Sequence, residues 1–81
     1  MFHVLILNAV PTVQDEIYFE GQATSVILPG VDGELEILDF HKPIITKLKK
    51  GLITVDNTKE FPIRGGVVKM NQQNLVAMIE V

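Results

Sequence analysis

Asp39 and His41 stand two residues apart, close enough in sequence for a hydrogen-bonded acid–base pair. A hydrolytic dyad also needs a nucleophile, and no serine or cysteine stands nearby. His3, the other of the two histidines, has no further ligands at a spacing that would hold a metal ion. Gly65-Gly66 lacks the lysine, the following Ser or Thr and the helix that make a glycine pair bind phosphate. Lys47, Lys49 and Lys50 form the only basic cluster, and three lysines around a turn read as solvated rim charges that protect a sheet edge. Glu34 and Glu36 alternate with Leu35 and Ile37, so on a strand the two carboxylates share one face. That face is either solvated or a negative patch awaiting a basic partner. No catalytic residue, cofactor or metal follows from these patterns, and function must come from a surface.

The composition agrees. A hydrophobic content of 47% and a mean hydropathy of +0.29 are high for so short a chain, which suggests apolar surface reserved for a partner. A net charge of -3 argues against nucleic acid, which needs Lys and Arg concentrated on one face. With no cysteine, an 81-residue domain must be held by its core or by assembly, and a reducing compartment fits. Met1-Phe2-His3-Val4 lacks the features of a signal peptide, and no apolar run approaches the roughly 20 residues that span a bilayer. The expectation is one soluble domain over residues 1–81 that can sit beside a membrane.

The elements that must position these residues are strands. Val4-Leu5-Ile6-Leu7 is a short, apolar run that favours a strand covered on both faces. Either Phe2, Val4 and Ile6 or His3, Leu5 and Leu7 enter the core, and the other set then needs cover. Val10-Pro11-Thr12 breaks the pairing, and Gln14 to Glu20 resumes it. Gly21 is expected to mark a corner, Gln22 to Leu28 to form one strand, and Pro29-Gly30 to end it. After the Glu34–Ile37 alternation, Asp39-Phe40-His41-Lys42-Pro43 reads as a loop carrying a phenyl ring that either plugs the interior or projects as an anchor. Ile44 to Leu48, Leu52 to Asp56, Phe61 to Ile63, Val67 to Met70 and Leu75 to Val81 follow as strands, with Pro62 implying an edge. No run of helical period is long enough to count. About nine or ten short strands with hairpin-sized turns predict an all-β fold, a β-sandwich of two antiparallel sheets, with a small, partly closed barrel as the alternative.

Gly33-Glu34-Leu35-x-Ile37, His41-x-Pro43-Ile44-Ile45-Thr46 and Gly51-Leu52-Ile53 closely resemble the epsilon subunits of F-type ATP synthases. Gly21, Val26-Ile27-Leu28-Pro29-Gly30 and Phe61-x-Ile63-x-Gly65-Gly66-Val67-Val68 fall in the expected order, so the likeness covers residues 21–81. Before Gly21 it is looser, with extra residues in the Val10–Gln14 connection. The resemblance implies the family's N-terminal β-sandwich domain, a non-catalytic part of the central stalk without cofactor. Its implied partners are the gamma subunit and the polar loops of the membrane rotor ring. It implies a peripheral place on the cytoplasmic face of the cell inner membrane, where the stalk couples ion translocation to ATP synthesis. Glu34 and His41 match positions at the end of the sandwich that faces the ring, with Phe40 and Lys42 around them. One apolar sheet face would cover gamma, and the residues do not say which. Glu36 replaces a usual Gly, Asp39-Phe40 a common Pro-Gly turn, and Lys42 a frequent Ala. The family's C-terminal helical pair, which carries its regulation, is absent from these residues.

Two other functions are compatible with an all-β chain of this size. A peptide- or glycan-binding module would want exposed aromatic platforms, yet the chain has no tryptophan and one tyrosine. A small hydrolase built on His41 would need the missing nucleophile.

Overall fold

Alternation of apolar and polar residues, interrupted by Gly, Pro, Asn and Asp, leaves this chain no element but the strand. In the computed structural model, which describes residues 1–9 and 16–81, it forms nine of them. These are β1 (Phe2–Asn8), β2 (Ile17–Ala23), β3 (Ser25–Gly30), β4 (Gly33–Leu38), β5 (Ile44–Leu48), β6 (Gly51–Val55), β7 (Lys59–Ile63), β8 (Gly65–Asn71) and β9 (Asn74–Glu80). The expected break at Val10-Pro11-Thr12 and the extra residues of the Val10–Gln14 connection lie outside the described residues.

The strands form one curled sheet in the order β2-β1-β9-β8-β5-β3-β6-β7, with β4 on the far side of β3. Its two halves, β2-β1-β9-β8-β5 and β4-β3-β6-β7, are joined at one corner. There Gly30 pairs with Leu48, the Val31 N–H donates to the Lys47 carbonyl at 3.1 Å and the Lys49 N–H donates to the Pro29 carbonyl at 2.8 Å. Few hydrogen bonds cross this corner, so the halves fold over each other as the two layers of a β-sandwich. At the opposite margin the edge strands β2 and β7 meet through side chains, with the Phe19 and Phe61 rings 5.9 Å apart and tilted by 56°. The Lys59 ammonium lies 5.2 Å from the centre of the Phe19 ring.

One core fills the space between the layers. The inward set of β1 is Phe2, Val4 and Ile6, which settles the choice that the sequence leaves open. They pack with Val26 and Leu28 of β3, Ile37 of β4, Ile53 and Val55 of β6, Val68 and Met70 of β8, and Leu75, Ala77 and Ile79 of β9. Fully burying a side chain of this kind stabilises by roughly 1.5–3 kcal/mol, so this cluster holds the fold.

Several local expectations are corrected. β1 and β9 pair in parallel, Val4 opposite Leu75 and Ile6 opposite Ala77, while the other strand pairs are antiparallel. These two strands are not hairpin neighbours, and no short turn forces them to run oppositely. Gly21 is no corner, since β2 runs straight through it opposite Val4, and the Phe19 ring lies over the open site. The chain bends instead at Thr24, which splits Gln22–Leu28 between β2 and β3. Pro29-Gly30 is not a turn pair: both residues stay paired as the last two of β3, and Val31-Asp32 make the turn. Pro62 does sit on an edge strand, as its missing donor requires.

Candidate functional site

β4 is an edge strand, bonded only to β3, and it places Leu35 and Ile37 inward and Glu34, Glu36 and Leu38 outward. Its outer side is thus a strip bearing two carboxylates and an exposed leucine. The strip runs into a turn closed by the His41 N–H donating to the Leu38 carbonyl at 3.2 Å. Phe40, third in that turn, has φ of 62°, a left-handed conformation that Gly or Asn adopts most easily. Its ring does not plug the interior. It projects, with 87% of the residue exposed.

Asp39 and His41 do not bond to each other. Asp39 Oδ2 accepts from the Met1 α-ammonium at 2.7 Å, an ion pair that ties the first residue to this loop. His41 Nδ1 lies 2.7 Å from the Lys42 carbonyl, which only accepts, so this bond uses the Nδ1–H. The pairing turns the imidazole onto its own backbone. Lys42 is exposed and has no ion-pair partner among the described residues. Glu34 lies at the start of β4 and His41 beyond its end, with about 13 Å of strand from Glu34 to Leu38 alone. The two do not share one end of the sandwich. A surface that uses both must run along β4 from Glu34 to Lys42.

The second surface belongs to the other layer. β1 and β9 set Leu5 beside Val76 and Leu7 beside Met78; β8 adds Val67 next to Met78, and β5 adds Ile45 beyond Lys69. These side chains point away from the core, with Met78, Val67 and Ile45 exposed. Together with Ile17 of β2, which pairs with Leu7, they form an apolar band across all five strands. Lys47, Lys69 and the pair of His3 Nε2 and Glu20 Oε2, 3.3 Å apart, lie in or beside the band. The outer side of the β4-β3-β6-β7 layer is more mixed, with Ile27, Pro29 and Leu52 among Glu34, Glu36 and Glu60. In the sequence the apolar band was hinted at by Val4-Leu5-Ile6-Leu7, which asks for cover on both faces, and by a hydrophobic content that is high for so short a chain.

A third feature escaped sequence reasoning. Asp56, at φ of 52°, accepts three hydrogen bonds on Oδ1: from the Thr24 N–H at 2.8 Å, the Thr24 hydroxyl at 2.8 Å and the Ser25 N–H at 3.0 Å. The Thr24 N–H, followed by the Ser25 N–H and the Thr24 hydroxyl, holds its carboxyl below the usual carboxylate range. This cluster fastens the β6–β7 turn to the bend between β2 and β3. Among the described residues no group of three or more His, Cys, Asp or Glu could hold a metal ion, and no helix is long and apolar enough to cross a membrane.

Residues 10–80 match the family model of the ATP synthase delta/epsilon chain, β-sandwich domain. The chain belongs to this family. Among relatives, the ATP synthase epsilon chain of Delftia acidovorans is 36% identical, over 95% of this chain and 54% of its own length. That of Chlorobium limicola is 32% identical, over 80% of this chain and 78% of its own length. The delta/epsilon domain described here spans about half the length of most of the curated relatives it matches. Its fold is also that of a chain in the Euglena gracilis mitochondrial ATP synthase, with a TM-score of 0.74 and 19% identity over 98% of this chain and 51% of that one. A chain of the central stalk and c-ring structure from Tetrahymena thermophila gives a TM-score of 0.68 at 14% identity, over 96% of this chain and 63% of that one.

Proposed function

We propose that this delta/epsilon domain is a non-catalytic rotor part of an F-type ATP synthase, seated between the gamma subunit and the polar loops of the membrane rotor ring. The apolar band of the five-stranded layer covers gamma. The β4 strip from Glu34 to Lys42, with Phe40 and His41, meets the ring. The domain is peripheral, held on the cytoplasmic face of the membrane through the complex, and it passes torque between ion translocation and nucleotide sites carried by other subunits.

The observation that carries this reading is the separation of two unlike surfaces on one rigid sheet. An apolar band suits a permanent, well-packed contact, whereas unpaired charges on an edge strand suit a contact that sets register more than affinity. A curled sheet with a continuous core resists shear between the two, which a mechanical coupler requires. Size-exclusion chromatography of the chain mixed with purified gamma tests it. Co-elution is expected, and failure to associate in any buffer overturns the assignment.

A further inference from the structure

We infer that the free edge of β4 takes an extended segment of a protein partner as an added antiparallel strand. That segment carries Lys or Arg at the two positions facing Glu34 and Glu36 and an apolar residue at the one facing Leu38. This goes beyond the reading of the β4 strip as a contact made by side chains, since it gives the main chain of the strip a part and states the chemistry of what binds there.

Pro29 fixes which main-chain groups point outward. It lies opposite Glu34 and has no N–H to give β4, and its carbonyl accepts from the Lys49 N–H at 2.8 Å on the other side of β3. The Ser25 carbonyl, opposite Leu38, likewise turns from β4 to accept from the Asp56 N–H at 2.9 Å. In an antiparallel ladder alternate residues turn their main chain toward and away from the neighbour. Gly33, Leu35 and Ile37 therefore bond to β3, while Glu34, Glu36 and Leu38 present theirs to the free edge. The Leu38 carbonyl is taken by the His41 N–H. The N–H and carbonyl of Glu34 and Glu36 and the N–H of Leu38 have no hydrogen-bond partner among the described residues. These groups are what an added strand requires.

The other edges are blunted. β2 and β7 face each other through the Phe19 and Phe61 rings, β7 carries Pro62, and β2 pairs with β1 through an irregular register. β4 has neither proline nor bulge. The side chains on its outward-bonding residues specify what it accepts. Glu34 and Glu36 are exposed, about 7 Å apart along the strand, and in no ion pair among the described residues. Leu38 next to them is half exposed. A second copy of the chain is a poor occupant, because two β4 strands about a two-fold axis set Glu36 against Glu36 or against Glu34 in their fullest registers. A strand with basic residues at alternate positions meets both carboxylates with opposite charge and the leucine with an apolar side chain.

The test is amide hydrogen exchange, read by NMR on the full chain with and without the capped peptide Thr-Leu-Thr-Arg-Val-Arg-Thr. In the free chain the amides of Glu34, Glu36 and Leu38 are expected to exchange readily and those of Leu35 and Ile37 slowly; the reverse pattern overturns the assignment of the edge. Bound peptide is expected to slow Glu34, Glu36 and Leu38 by about tenfold or more. N-methylation of the peptide's first arginine removes the donor to the Glu36 carbonyl and is expected to weaken binding about tenfold or more without touching the protein. The double variant Glu34→Gln/Glu36→Gln, whose thermal midpoint should match the parent's, is expected to bind roughly tenfold more weakly. A scrambled peptide of the same composition that binds equally well, or binding without protection of the three amides, reduces the contact to charge alone and overturns strand addition. No binding at about 1 mM peptide also overturns it. Either failure leaves the stalk assignment standing, because that is tested by co-elution with gamma through the five-stranded layer.

Discussion

Replacing Gly66 by alanine tests whether the register of the five-stranded layer is set as described. Gly66 lies in β8 between Leu48 of β5 and Ile79 of β9, with φ of 157°. A Cβ there would come to 2.4 Å from the Met78 carbonyl oxygen and 3.0 Å from Ile79 Cα. Both obstacles are backbone, so no side chain can swing aside and β8 must move off β9. Overpacking of this kind costs about 1–3 kcal/mol, and the unfavourable backbone conformation adds roughly another 1–2. A central figure is about 3 kcal/mol. An 81-residue domain has about 4–12 kcal/mol of stability in total, so a large part of it is at stake. With unfolding entropy near 2.1 cal/mol/K per residue, the melting temperature should fall by about 15–20 °C. Far-UV circular dichroism on heating and in urea reads this without a tryptophan. Gly33→Ala is the control, because Gly33 has φ of 132° but open space around its Cβ position, so it carries the backbone cost alone, about 1–2 kcal/mol. If Gly66→Ala costs no more than Gly33→Ala, the close approach of β8 to β9 is wrong, and so is the packing that sets Val67 beside Met78.

Asp56 should make the acid limb of stability steeper. Its folded carboxyl is held below the ordinary value near 3.9, so its contribution is fully present above that pH and is lost as pH falls through the lowered one. Asp56→Asn should therefore flatten the decline in urea midpoint below about pH 4, while Asp56→Ala should cost about 1–2 kcal/mol at neutral pH through lost hydrogen bonds and the left-handed backbone. A double-mutant cycle of Phe19→Ala and Phe61→Ala should give a coupling of about 0.5–1.5 kcal/mol, and a value near zero would mean that the β2–β7 margin is not closed by these rings. On the apolar band, Met78→Lys should leave the melting temperature within a few degrees of the parent, since Met78 is exposed, and abolish co-elution with gamma. Unchanged co-elution would move the contact to the other layer.

The sequence by itself determined the fold class, because period-two alternation in Glu34–Ile37 and Leu75–Ile79 admits nothing but half-buried strands. It also determined the family, through the ordered short motifs from Gly21 to Val68. Motif order does not carry distances, which is why Glu34 and His41 looked like neighbours, although Glu34 stands at the start of β4 and His41 beyond its end. Local pattern likewise misplaced Gly21 and Pro29-Gly30, whose conformations are decided by a strand paired on one or both sides and not by their own turn propensity. Pairing between distant segments belongs to the tertiary structure alone. It set β1 parallel to β9, chose Phe2, Val4 and Ile6 for the core, and so pushed Leu5 and Leu7 outward beside Val76 and Met78. A side chain's face is a local property, whereas a surface is made of neighbours, and only the folded sheet decides which neighbours those are.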